Sequence, residues 1–284
     1  MQQDHVTVVG AGTMGSGIAQ VFAQVGYRVD LIDKDDEALV SSRERIESSV
    51  KRLASRGAID PTRLDGILGR IHPVRGLPDI LPSFLVVEAV TESFDVKSEV
   101  FRRLDRAAPR EAILATNTSS LSVTALAAIT GRPERVMGTH FMNPPPLIDL
   151  VELVRGDLTA DDVFSRVDLL VRRLGKQPVE VQDFPGLVSN RILMPMINEA
   201  IFALMEGVAS AEAIDTVLRG GLSHPVGPLR LADFIGLDVT LQVLENLYDG
   251  FSDPKYRPCP LLRKMVEAGY LGRKSGRGFY DYDE

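Results

Sequence analysis

The sequence predicts an α/β fold, a doubly wound and largely parallel sheet covered on both faces, followed by an all-helical C-terminal domain. Three observations carry this. Short β-branched runs alternate with amphipathic stretches through about residue 183, and such alternation implies parallel strands joined by crossover helices. Three glycines, Gly10, Gly12 and Gly15, stand between the first apolar run and the first helical pattern. At "DFPGLVSNR" the strand patterns nearly stop, with Pro185-Gly186 as punctuation. The predicted domains are therefore 1–184 and 185–284.

Each element follows from local pattern. Strands are expected at Val6–Val9 and Arg28–Ile32, with a helical pattern between them. Residues 36–70 exceed a simple crossover helix and read as a helical insertion. In it, "DDEALVSSRERIESSVKRLASRG" is a helix ending near Gly57, and "DPTRLDGILGR" is a second, with Asp60 as N-cap and Pro61 at the first position. Further strands are expected at Phe84–Val90, Ile113–Thr116, Val136–Phe141, Leu150–Val154 and Val179–Val181. In the second half, Ile192, Leu193, Met196, Ile197, Ala200, Ile201 and Leu204 recur at helical spacing across 187–206. Pro195 falls inside that run, where a kink is expected. Helical runs follow at 211–219, 228–248 and 260–269.

Composition narrows the function classes. Hydrophobic residues make up 44% and charged residues 25%, the balance of a soluble globular protein, and 284 residues suffice for one large or two medium cores. A net charge of −7 argues against a general nucleic-acid binder, although a local basic patch can still hold a small anion. No apolar run reaches the length of a membrane span. "MQQDHVTVVG" has neither the basic head nor the apolar core of a secretory leader, so a cytoplasmic enzyme or binding protein is expected. Cys259 is the only cysteine, so no disulfide framework is expected. It reads as a small apolar filler between two prolines, with a reactive thiol as the other reading. No His/Cys cluster is evident, and no metal is expected.

The glycines have a chemical reading. G-x-G-x-x-G directly after a strand and at the start of a helix is the fingerprint of a Rossmann-like, dinucleotide-binding domain. Gly10 permits the tight turn, Gly12 lets backbone approach a pyrophosphate, and Gly15 lets helix and strand pack closely. The diphosphate then rests on unpaired N–H groups at the helix's positive end. Gly10, Ala11, Gly12, Thr13, Met14 and Gly15 thus form the expected cofactor loop. Asp33 lies about twenty residues on, where a carboxylate can accept hydrogen bonds from a ribose diol and repels a 2′-phosphate. This favours NAD over NADP, with neighbouring Lys34 as the opposing charge.

A nicotinamide enzyme that oxidises an alcohol also needs a base for the hydroxyl proton. "GTHFMNPPPLIDLVEL" offers His140 at the end of a strand-like run, where ligands gather in open α/β sheets. Glu152 can orient its ring and stabilise the imidazolium. The other reading is a histidine and a glutamate that are each structurally satisfied and never meet. His5, His72 and His224 read as structural or surface residues. Ser119 or Ser120 in "ATNTSSLSVTAL", and Asn190 in "GLVSNRILM", read by default as helix caps.

The motifs "GAGTMGSGIAQ", "NTSSL", "HFMNPPP", "SNRILMP" and "KSGRGFYDY" occur in one order along nearly the whole chain. In this the chain resembles the L-3-hydroxyacyl-CoA dehydrogenase family, particularly its single-function bacterial 3-hydroxybutyryl-CoA members. The resemblance implies an NAD-binding Rossmann-like domain, a helical domain that forms a homodimer, and oxidation of a 3-hydroxyacyl-CoA. It implies His140 as general base, Glu152 as its orienting carboxylate, and Ser119 and Asn190 as residues holding the substrate's C3 oxygen. It adds cofactor contacts at Glu92, Lys97, Ser119, Asn143 and Lys274, and coenzyme A contacts at Ser49 and Arg56, the latter an arginine where relatives carry lysine. Without the resemblance, Glu92 and Lys97 read as a solvated pair, Asn143 as a turn residue, and Lys274 as a surface charge. Arg45, Lys51, Arg52 and Arg56 likewise read as a solvated helix face. Pro145 and Asp149 depart from commoner family forms and bear on acyl length. Two rival readings remain at this stage: an NAD-linked dehydrogenase of a hydroxy or sugar acid without coenzyme A, and a non-catalytic NAD-binding protein of the crystallin kind.

Overall fold

The computed structural model describes residues 4–282. The chain divides into two compact units, Met1–Phe184 and Pro185–Glu284. In the first, β1 (His5–Val9), α1 (Thr13–Gln24) and β2 (Arg28–Asp33) are followed by α2 (Asp36–Ser55), a 3-10 turn (Pro61–Arg63), α3 (Leu64–Leu68) and β3 (Ile71–Arg75). Next come β4 (Leu85–Glu88), α4 (Phe94–Ala107), β5 (Ile113–Thr116), α5 (Val123–Ala128) and β6 (Val136–Phe141). The unit ends with β7 (Leu150–Arg155), α6 (Asp161–Arg173) and β8 (Gln177–Gln182).

The eight strands form one sheet in the order β3-β2-β1-β4-β5-β6-β7-β8. Strands β1, β4 and β5 are buried throughout, as expected for central strands covered on both faces. Neighbouring strands run parallel except β6 and β7, which are antiparallel. Chain order reverses on either side of β1, so the loops after β1 and β4 diverge there and open a crevice at the strands' carboxyl ends.

Two expectations need correction. The sequence reading has no strand at 71–75, yet β3 pairs there with β2, from Val29↔Ile71 to Asp33↔Arg75. It is an edge strand of mixed burial, so it lacks an apolar run, and Pro73 argues against a strand except at such an edge. The helical stretch at 36–70 is thus the connection to this strand. Asp60 does cap the turn at Pro61, accepting the Thr62 N–H.

The second unit holds α7 (Ser189–Met205), α8 (Ala211–Leu222), α9 (Pro228–Ile235), α10 (Leu237–Phe251) and α11 (Pro260–Glu267). The single helix expected at 228–248 is two, because Gly236 has φ of +102° and ends α9. Pro195 lies inside α7. The apolar positions of α7 divide: Met194, Ile197 and Ile201 enter the unit's own core, while Ile192 and Met205 are exposed. Cys259 is buried, and burial pushes its thiol pKa up, which agrees with the filler reading.

Two buried carboxylates tie this unit together. Asp215 accepts the N–H groups of Leu229 and Arg230 and the Tyr280 hydroxyl. Asp233 accepts the N–H groups of Phe279 and Tyr280 and the Tyr282 hydroxyl. Among the described residues, no helix is long and apolar enough to cross a membrane.

Candidate active site

The glycine loop is shaped by close approach. Gly10 has φ of +105°, and a Cβ there would stand 2.5 Å from the Ala89 carbonyl oxygen. A Cβ on Gly15 would meet the Gly10 carbonyl oxygen at 1.7 Å, so helix and turn pack at that distance only without side chains. Gly12 has open space around its missing Cβ. Helix α1 begins there without a side-chain cap, which leaves first-turn N–H groups available to an anion. Asp33 ends β2; its Oδ2 accepts the Ala11 N–H at 2.7 Å and its Oδ1 the Asp35 N–H at 3.1 Å. Gly10, Gly12, Asp33, Lys34, Ala38, Ala89 and Val90 line a cavity of about 510 Å³ at the switch point of the sheet. Uncapped helix end, glycine approach and terminal carboxylate together fit a dinucleotide.

Next to it lies a charge cluster that was only partly legible. Glu88 ends β4 fully buried, a placement the sequence reading missed. Its carboxylate accepts from the Val90 N–H, the Lys97 ammonium and the Thr116 hydroxyl, each at 2.7 Å. Lys97, only 1% exposed, also lies 3.4 Å from Glu92 Oε2. Lys97 and Glu92 are therefore no solvated pair. The other Glu92 oxygen receives the Thr118 hydroxyl at 2.6 Å and the Ser119 and Ser120 N–H groups at 2.9 and 3.0 Å. Burial pushes the Glu92 pKa up, but the Lys97 charge and these hydrogen bonds outweigh it and hold it below the usual carboxylate value. Glu92 thereby fixes the "NTSS" loop, where Ser119 lies. The cap of α5 is Ser122, accepting the Ala125 N–H, and neither Ser119 nor Ser120 takes that place.

His140 and Glu152 meet. The antiparallel β6–β7 ladder sets them directly opposite in register, and His140 Nδ1 lies 2.8 Å from Glu152 Oε2. Their side chains are 12% and 4% exposed. With Nδ1–H donating to the carboxylate, the ring lone pair lies on Nε2, the arrangement a general base requires. Asn117, also missed in sequence, fixes the strand here: its Oδ1 accepts the Phe141 N–H at 2.9 Å. Asn143 is exposed just beyond β6.

A second cavity, about 230 Å³, lies on the α2 side of α1. Arg45, Ser49, Arg52 and Arg56 face it from α2 and its C-cap, and Pro144–Leu147 close the other wall. Arg45, Arg52 and Arg56 all stay exposed, as the solvated-face reading has it, while lining this cavity. Only Lys51 turns away, to Glu47 at 2.6 Å. Such a cavity can take an anionic, partly apolar group. Asn190 and Lys274 belong to the second unit: Asn190 in the first turn of α7, and Lys274 bonded to Asp238 at 2.6 Å.

Comparison with known proteins agrees with this geometry. Residues 5–184 match the 3-hydroxyacyl-CoA dehydrogenase NAD-binding domain, and residues 186–282 match the C-terminal domain of the same family. A Bacillus subtilis (strain 168) protein described as a probable 3-hydroxybutyryl-CoA dehydrogenase is 50% identical over 284 residues, covering 100% of this chain and 99% of its own. The 3-hydroxybutyryl-CoA dehydrogenase of Bradyrhizobium diazoefficiens is 49% identical over 277 residues, 98% of this chain and 94% of its own. The crystal structure of (S)-3-hydroxybutyryl-CoA dehydrogenase from Ralstonia eutropha superposes with a TM-score of 0.95 at 47% identity, covering 100% of both chains.

Proposed function

The chain belongs to the 3-hydroxyacyl-CoA dehydrogenase family, an NAD-dependent oxidoreductase family, and from that premise we propose that it interconverts L-3-hydroxybutyryl-CoA and its 3-oxo thioester with His140 as general base. The observation that carries this reading is the 2.8 Å His140–Glu152 hydrogen bond in the NAD-binding domain.

Bound NAD supplies the hydride acceptor. Residues 10–15 would hold its pyrophosphate and Asp33 its ribose, with Glu92, Ser119 and Asn143 as further contacts and Lys274 as one that the family resemblance implies; Lys97, buried against Glu88, acts through Glu92 and not by touching the cofactor. His140 Nε2 accepts the C3 hydroxyl proton as the hydride leaves C3, and Glu152 stabilises the resulting imidazolium. Ser119 holds the reacting oxygen, and the family resemblance implies the same role for Asn190. In the reverse direction the imidazolium donates its proton to the ketone oxygen. Ser49 and Arg56 receive coenzyme A in the α2 cavity, where guanidinium donors suit phosphate.

The protein acts in the cytoplasm as a homodimer built through residues 187–284. Exposed Ile192, Val208, Val217 and Leu222 support an interface there. Light scattering at micromolar concentration should give twice 31.1 kDa; a clean monomer would refute the dimer. Initial rates over a series of 3-oxoacyl-CoA thioesters test the activity. The four-carbon ester should be reduced best. Faster turnover of free hydroxy or sugar acids, or NAD binding without turnover of any thioester, would replace this reading with one of its rivals.

A further inference from the structure

Arg45 joins the two cavities. Its Nη2 donates to the Ala11 carbonyl oxygen at 2.6 Å and to Ser16 Oγ at 3.3 Å. Ser16 Oγ itself donates its one hydrogen to the Gly12 carbonyl oxygen at 2.7 Å and lies 3.1 Å from that of Ala11. Ala11 is thus held from both sides, its N–H by Asp33 and its C=O by Arg45. In a planar trans peptide the N–H points opposite to the C=O. Pulling the Ala11 carbonyl toward α2 therefore turns the Gly12 N–H away from α2, on the side where Gly12 lines the dinucleotide cavity. The other Arg45 donors, Nε and Nη1, are unclaimed among the described residues, and the side chain lines the α2 cavity one helical turn from Ser49.

We propose that Arg45 is a positioning residue that couples the coenzyme A cavity to the NAD loop: an anionic group of coenzyme A takes the remaining guanidinium donors, orders the side chain, and so holds the Gly12 N–H in its anion-binding direction. This rests on the assignment of the α2 cavity to coenzyme A. Coupling of this kind is reciprocal, so each ligand tightens the other by the same factor.

The test is titration of the full-length protein with NADH, followed by fluorescence, with and without saturating coenzyme A. In the wild-type protein coenzyme A should tighten NADH binding about fivefold. In Arg45→Gln, NADH alone should bind about fivefold more weakly and the coenzyme A effect should fall below twofold. Arg45→Lys should restore part of the NADH affinity and little of the coupling, because an ammonium lacks the guanidinium fork. A structural role alone would leave the coupling factor intact. In parallel, Arg56→Ala should raise the KM for acetoacetyl-CoA. If it does, and Arg45→Gln still shows wild-type coupling, the inference is overturned while the function stands. If it does not, the cavity assignment and the inference fall together.

Discussion

Two histidine–carboxylate pairs sit on the same sheet, and their difference is instructive. His5 Nε2 lies 3.0 Å from Asp30 Oδ2, with side chains 6% and 16% exposed. His140 Nδ1 lies 2.8 Å from Glu152 Oε2, with similar burial. By distance the pairs are near equivalents. By geometry they are not. His5 Nε2 makes no aligned hydrogen bond, because its residues are offset along parallel strands: His5 pairs with Arg28, and Asp30 with Thr7. His140 and Glu152 are directly opposed on antiparallel strands. Location differs too. His5 opens β1 at the amino edge of the sheet, whereas His140 nears the end of β6 at the carboxyl edge, where the β4 and β5 loops bring Glu92 and Ser119. A histidine beside an acid becomes a candidate base through alignment and through the end of the sheet it occupies.

The strongest break of this comparison removes the aligned pair. His140→Ala should lower kcat by about a thousandfold, and Glu152→Gln by at least about a hundredfold, the range of general acid–base catalysis. NADH affinity should change little in either. The double variant should be hardly worse than His140→Ala, since residues acting as one unit are not additive. Near-full activity of Glu152→Gln would make the carboxylate structural, and losses that multiply independently would dissolve the dyad.

Asp33 extends the carboxyl-edge argument to the cofactor. The wild-type protein should prefer NADH over NADPH at least tenfold in kcat/KM, about 1.4 kcal/mol. Asp33→Ala should narrow that gap, chiefly by weakening NADH. Equal use of both cofactors by the wild type would mean that Lys34 outweighs the carboxylate.

The misaligned pair should show the opposite behaviour. His5→Asn is expected to cost about 1 kcal/mol of stability in denaturant unfolding, the scale of one buried polar group, and to leave kcat within twofold. A large kcat loss with unchanged stability would erase the distinction between the two edges.

The smallest effect concerns Glu92. Its pKa is lowered in the folded protein, so its contribution is present above the ordinary carboxylate pKa and is lost as pH falls through the lowered value. Glu92→Gln should show a small Tm deficit at pH 7 that shrinks below about pH 4. A deficit independent of pH would show that shape, not charge, anchors the "NTSS" loop.

Much of this was legible in the residues. Gly10, Gly15 and Asp33 are local, because a turn, a tight approach and a strand end each leave a mark at fixed spacing. Ile71–Arg75 left none, since no position of this edge strand is fully buried and its residues carry no apolar alternation. The break at Gly236 inside the run expected at 228–248 was not legible, because sequence does not reveal a positive φ. Glu88 was hidden for the opposite reason: a buried charge at a strand end is identifiable only from its partners, and Lys97 and Thr116 arrive from separate elements.

The sequence by itself determined the alternation of strands and helices, the change of character after residue 184, and the nucleotide loop, since each depends on period, turn chemistry or spacing between near neighbours. Tertiary structure alone decided that His140 and Glu152 meet, because twelve residues of separation become one hydrogen bond only when β7 returns antiparallel in this register. It also decided that Arg45, though exposed, reaches the Ala11 carbonyl, because that bond closes across 34 residues and requires α2 to pack against α1. Local pattern fixes which groups a segment offers, and packing decides which of them come within hydrogen-bond reach.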